Sequence, residues 1–329
     1  MASPERALDS SELDAWIAAI READASAIAR ALDCVEDTRP RMQALQRALL
    51  AGLSSITPRE HSVVGLTGPP GAGKSTLAGA LIQHWLAQGL GVGVTAIDPS
   101  SQRSGGALLG DRTRLRLAAD ARAFVRSMAA RDQLGGLAPA TRAAAHILRA
   151  AFEWTLVETV GVGQSEVAIE SVADLVVLVL QPGSGDMLQF MKAGVLEIPD
   201  VVVVHKWDVG AAAERTRSEL EATLALQPHD SRRLPPVVLG VSAQSGHGVA
   251  ELAAALAKRR DVETTRGRLD AKREAANVTW ALELFVRRYG SYGVERLGGG
   301  AAARARAASL SGTGLERFSA LAKQTGLDD

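Results

Sequence analysis

The chain carries one cysteine, Cys34, which rules out an internal disulfide and any multi-cysteine zinc or iron–sulfur site and fits a reducing compartment. Cys34 itself is expected to be an inert core thiol. Net charge is absent as well. Lys and Arg number 37 against 37 Asp and Glu, so no whole-chain field attracts nucleic acid or an anionic membrane surface. Aromatic residues are only 4% of the chain, which leaves little for the stacking platforms of single-strand binders. Apolar runs stop at about six residues, as in Leu175 to Leu180, against the ~20 needed to cross a bilayer. The start, MASPERALDSSELDAW, has early acids and neither a basic-then-apolar signal pattern nor Arg-rich transit character. No nucleic-acid or membrane partner is expected, and the cytoplasm is the expected compartment.

With 47% hydrophobic and 22% charged residues, the composition is that of a folded globular protein. Its 329 residues suit two domains or one elaborated α/β domain. Leu13, Ile17 and Ile20, then Ile28, Leu32 and Val35, then Met42, Leu45 and Leu49 recur at helical spacing, with a break near Pro40. From Ser62 to Lys258, short apolar β-branched runs alternate with helical segments. The strands SVVGLT, GVGVTAI, WTLVET, DLVVLVL, VVVV and PVVLGVS are apolar nearly throughout, as expected of parallel strands covered on both faces. Beyond Arg259, Val278, Leu282, Phe285 and Val286 share a helical face, and glycines 298–300 precede an Ala-rich helix. The expected fold is a doubly wound, mostly parallel α/β sheet of P-loop type. Residues 61–260 would form it, 1–60 a helical extension and 261–329 a helical arm.

The strongest local signal is GPPGAGKS between a strand and a helical segment, matching G-x-x-x-x-G-K-[ST]. Its glycines let backbone N–H groups wrap phosphate oxygens, and the helix N-terminus adds its positive dipole end. Lys74 is placed to neutralise β/γ-phosphate charge and Ser75 to ligate Mg²⁺. An acidic partner for the metal belongs at a neighbouring strand end. Asp98, Asp111 and Glu158 are the candidates, with a turn or helix-cap role the blander reading of the first two. Glu158 and Gly161 make an acid-x-x-Gly unit, whose acid reaches Mg²⁺ directly or through water and whose glycine N–H senses a γ-phosphate. Gln164 follows, either orienting water or simply solvated.

His205-Lys206-Trp207-Asp208, ending the strand VVVV, resembles the N-K-x-D guanine-binding element, with His in place of Asn. The two oxygens of Asp208 can accept from guanine N1–H and N2–H₂, neither of which adenine offers. Ser242, Ala243 and Gln244 resemble the S-A-x loop that meets the guanine carbonyl.

The runs GLTGPPGAGKST, IDPSSQRSGGALLGDRTRLR, VETVGVGQSEVAIESVAD and QPGSGDMLQFMKAG, in that order, resemble the MeaB/MMAA family, formerly also called ArgK. The resemblance implies a GTPase, giving GDP and phosphate, that acts as a chaperone of an adenosylcobalamin-dependent acyl-CoA mutase of the methylmalonyl-CoA mutase type. Such proteins gate cofactor loading and protect or reactivate the mutase, and are usually homodimers through the carboxyl-terminal arm. It assigns the phosphate loop to Gly68, Pro69, Pro70, Gly71, Ala72, Gly73, Lys74, Ser75 and Thr76, the metal or catalytic acids to Asp98, Asp111 and Glu158, and guanine binding to Lys206 and Asp208. Within a moving segment Gly183 to Gly194, Lys192 matches a lysine implicated in partner-activated hydrolysis, while Ala193 stands where a second lysine occurs.

Two rivals share the P-loop. A kinase in the older ArgK sense would use ATP and pass phosphate to an acceptor, whereas a GTPase chaperone prefers GTP and gives phosphate to water. A nickel-inserting metallochaperone would need Cys/His clusters, and the six histidines here are scattered without ligand spacing. Trp280 and its apolar neighbours are expected to make a helix or dimer interface.

Overall fold

The computed structural model describes residues 8–98, 122–129, 139–159, 168–183, 195–226 and 234–327. Helices α1 (Ser10–Arg21), α2 (Ala25–Glu36) and α3 (Gln43–Ile56) come first. The Asp9 carboxylate accepts from the Glu12 N–H while Glu12 accepts from the Asp9 N–H, a capping box that starts α1. Pro40 lies in the short 3₁₀ turn Pro40–Met42 that separates α2 from α3, the expected break at a residue without an N–H.

Strands β1 (Ser62–Thr67), β2 (Val92–Asp98), β3 (Ala123–Ala129), β4 (Trp154–Glu158), β5 (Leu175–Leu180), β6 (Val201–His205) and β7 (Val237–Val241) form one sheet in the order β3-β2-β4-β1-β5-β6-β7. Every neighbouring pair is parallel. Helices α4 (Lys74–Ala87), α5 (Pro139–Ala151), α6 (Ala211–Ala225) and α7 (Val249–Thr265) accompany the strands. Side chains alternate across the sheet, so β1 sends Val64 and Leu66 into a cluster with Leu77, Leu81 and Trp85 of α4 and Leu252 of α7. Val63 instead joins Val157, Val176 and Ala145 of α5 on the other face. Coverage of both faces accounts for strands without polar alternation.

The sequence suggested six strands, and the structure adds a seventh, β3. It pairs with β2 from Val92↔Ala123 to Asp98↔Ala129. Arg126 and Ser127 interrupt its apolar run, and as a half-buried edge strand it has no need of continuous apolarity. Arg126 reaches Asp33 at 2.6 Å and Glu36 at 2.8 Å, binding α2 to the sheet edge. Trp16, Ile20, Ile28, Leu32 and Leu53 of the first three helices then share a cluster with Ile147 and Leu148 of α5. Cys34 is buried there, and desolvation pushes its thiol up to about 11, as suits an inert core residue.

Helices α8 (Arg268–Arg296), α9 (Gly300–Ser309) and α10 (Gly314–Thr325) complete the chain. Val278, Phe285 and Leu321 are buried together with Leu282 packed against them. Val286, expected on the same face, is instead 49% exposed and takes no part in this cluster. Trp280 is buried against the start of α10, where a Cβ on Gly314 would fall 2.5 Å from its ring. Its packing role is therefore met within the chain. Asp174, just before β5, holds α8 to the sheet by accepting from Arg273 at 2.8 and 2.9 Å and from the Val63 N–H at 2.9 Å.

Candidate nucleotide site

The loop Gly68 to Gly73 leaves the carboxyl end of β1 and enters α4. Gly68 has φ +136°, and a Cβ there would meet the Val179 carbonyl oxygen at 2.1 Å, so this turn against β5 excludes any side chain. Gly73 is the N-cap of α4, with φ +93° and no side-chain cap, which leaves the first-turn N–H groups for an anionic ligand. Lys74 is buried, and its Nζ donates to the carbonyls of Gly68 at 2.8 Å and Pro69 at 3.1 Å. That ammonium sits under the curve of the loop, where phosphate oxygens would replace the carbonyls. Thr76 and Pro70 are exposed at the loop surface.

The Ser75 hydroxyl donates to Glu158 Oε1 at 2.6 Å, so β4 and α4 bring two hard oxygen donors together. Among the described residues no group of three or more His, Cys, Asp or Glu gathers. A hydroxyl and one carboxylate beside a phosphate loop suit Mg²⁺, which takes few protein oxygens and keeps phosphate and water ligands. Asp98 ends β2, with its side chain outside the described residues, as are Asp111, Gly161, Gln164 and Lys192.

The base element is wired to the phosphate loop. Lys206 has φ +58° and ψ +43°, and its Nζ donates to the Gly71 carbonyl at 3.1 Å and to Gln181 Oε1 at 2.5 Å. The Ser242 hydroxyl donates to Asp208 Oδ1 at 2.5 Å, and this bond, ahead of the other contributions, holds the Asp208 carboxyl below the usual range. Ala243 follows Ser242 on the β7 loop, and Gln244 is exposed beside it. Gln181 and Trp207 were not singled out from sequence. Gln181 follows β5 directly, at the strand end where ligands of open sheets bind. Trp207 lies over Gly240 of β7, where a Cβ would fall 2.3 Å from the ring, and it stacks on His247.

His205, the departure from Asn, is buried between the two loops. Ala243 N–H can only donate, so His205 Nε2 accepts from it at 3.3 Å, and Nδ1–H donates to the Ala72 carbonyl at 2.8 Å. A Cβ on Gly73 would lie 2.4 Å from Nδ1, so the loop glycine makes room for the imidazole. The neutral ring donates and accepts at once, as an Asn amide does. Burial, and to a lesser extent the Lys206 charge, lowers the His205 pKa, opposed by the bond to the Ala72 carbonyl and then by Asp208. A depressed histidine contributes fully above its ordinary value of about 6.5 and loses that contribution as pH falls through it toward the folded value. Below that range an imidazolium would set N–H against the Ala243 N–H. The stability of the wild type is therefore expected to fall as pH drops below about 6.5, and His205→Asn should reduce that fall in thermal melts across the same pH range. Identical profiles for both proteins would remove His205 from this role.

The profile of the family described as methylmalonyl Co-A mutase-associated GTPase MeaB matches residues 28–292. A Mycobacterium tuberculosis protein named as a probable GTPase is 41% identical over 281 residues, covering 84% of this chain and 83% of its own. The mouse protein named methylmalonic aciduria type A homolog, mitochondrial, is 36% identical over 271 residues, covering 78% and 65%. Among solved structures, that of an LAO/AO transport system kinase is similar with a TM-score of 0.68 at 26% identity, covering 89% of this chain and 91% of the other.

Proposed function

The chain belongs to the MeaB family of GTPases, and from that premise we propose that its GTP hydrolysis times its action as a chaperone of an adenosylcobalamin-dependent acyl-CoA mutase, gating cofactor loading and protecting or reactivating the mutase. The observation that carries this reading is the continuous network from Asp208 through Ser242, Ala243 and His205 to the phosphate loop at Ala72. Base recognition and phosphate binding then share one rigid frame, as a protein that must distinguish GTP-bound from GDP-bound states requires.

In this mechanism Lys74 and the α4 first-turn N–H groups neutralise the β- and γ-phosphate oxygens. Ser75 and Glu158 would hold Mg²⁺, with Asp98 and Asp111 as further ligands through water. Bound there, the ion would supply charge neutralisation between the β- and γ-oxygens. Asp208 accepts from the guanine N1–H and N2–H₂, and Ser242, Ala243 and Gln244 line the base. The Gly161 N–H reports the γ-phosphate, Gln164 orients the attacking water, and Lys192 is brought to the phosphate when the mutase docks. The carboxyl-terminal arm joins two copies in a homodimer, and the protein acts in the cytoplasm.

Capture tests the partner. With a non-hydrolysable GTP analogue bound, the full chain should retain an acyl-CoA mutase from native extract, identified by mass, and release it when GDP replaces the analogue. Failure to retain any cobalamin-dependent mutase in either nucleotide state contradicts the proposal.

A further inference from the structure

A cavity of about 70 Å³ lies between α5, the turn Ile169–Ser171, the start of β5 and α8. It holds roughly five times the space that one water needs. Val63 lines it, at the end of β1 opposite the phosphate loop, so it is separate from the nucleotide site. Its charged lining is Arg142, Arg149, Lys272 and Arg273 against Glu170 and Asp174.

Two of the cations are already engaged. Arg273 grips the Asp174 carboxylate, and Lys272 Nζ donates to the Asp174 carbonyl at 2.9 Å. The other two are not fully used. Arg142, 7% exposed, gives Nη2 to Ser171 and Glu283 at 2.9 Å, while its Nε and Nη1 are buried without a partner. Arg149 Nε is also buried without a partner, as is the indole N–H of Trp280, itself 4% exposed. Four buried unpaired donors thus belong to three residues that line one small cavity, and native proteins leave few such groups unpaired. Neighbouring His146 adds no charge, because burial and then Arg149 bring its pKa down to about 3, and its Nε2 pairs with Ser54.

A water molecule can accept from at most two of these donors and brings no negative charge. An oxyanion brings acceptors on every oxygen together with the negative charge that two incompletely paired guanidiniums call for. We infer that this cavity binds a phosphate-class oxyanion, either free or as the end of a phosphomonoester, at a second site independent of the nucleotide. The inference does not depend on the mutase reading.

The test uses the full chain loaded with GDP and Mg²⁺, so that the phosphate loop is filled, in phosphate-free buffer. Calorimetric titration with orthophosphate should show one saturable site, and phosphate should raise the melting temperature. Arg149→Met should weaken that binding by about ten- to a hundredfold, the usual worth of a charged hydrogen bond, and leave GDP affinity unchanged. Trp280→Phe keeps an aromatic side chain but replaces the indole with a smaller phenyl ring and removes the N–H. It should weaken phosphate by several-fold, and it carries the test if the arginine variant does not fold. Phenyl phosphate competing with orthophosphate would mark the site as one for a monoester end, and orthophosphate binding alone as one for the free ion. No saturable phosphate binding to the wild type, or undiminished binding in both variants, would overturn the assignment.

Discussion

Asp208→Asn is expected to exchange guanine recognition for xanthine recognition. The wild-type carboxylate is held ready by the Ser242 hydroxyl at 2.5 Å and keeps acceptor capacity for the guanine N1–H and N2–H₂. Asparagine has the same shape but replaces one acceptor with an N–H₂. That donor opposes the guanine amino group and suits the 2-oxo group of xanthine. Sites built to hydrogen-bond one ligand reject the mismatched analogue strongly, so GTP and GDP should each lose on the order of a hundredfold or more in affinity while xanthosine triphosphate gains. Competition titrations with the three purine nucleotides decide the point. Retention of wild-type GTP affinity by the variant, or equal binding of ATP and GTP by the wild type, would move base recognition away from Asp208.

The parts of the site that were readable from sequence are those whose chemistry is local. The phosphate loop could be read because strand, motif and helix follow one another without a gap from Ser62 to Ala87. Asp208 was readable as a candidate because it lies three residues past the end of an apolar strand, in the spacing of the N-K-x-D element. What the sequence hid is long-range. What His205 does in place of Asn emerges only from the fold, where its ring bridges Ala72 and Ala243 and Gly73 makes room for it. Gln181 is distinguished only by its bond to Lys206, and β3 only by its pairing with β2. Arg142, which lines the cavity beside α5 and α8, pairs with Glu283, 141 residues away, and no spacing along the chain announces such a pair.

The same distinction separates hydrolysis from its control. The Ser75–Glu158 pair and Lys74 are proposed to hold nucleotide and metal, whereas acceleration is proposed to need a lysine that the mutase delivers. In the sequence, Lys192 follows Gly183 and Gly185 and precedes Val201, the first residue of β6, by nine positions. A lysine in solution contributes little to phosphoryl transfer, but the same charge docked at the γ-phosphate acts as an arginine finger does, worth about 10³ to 10⁵ in rate. Lys192→Ala should therefore lose most of the stimulated rate, while Lys192→Arg should keep a large share of it. The most direct measurement is single-turnover GTP hydrolysis with and without a purified adenosylcobalamin-dependent acyl-CoA mutase. Slow turnover alone and acceleration on the order of 10³-fold or more with the mutase is the predicted result. Equal rates with and without the mutase that the protein captures would contradict it.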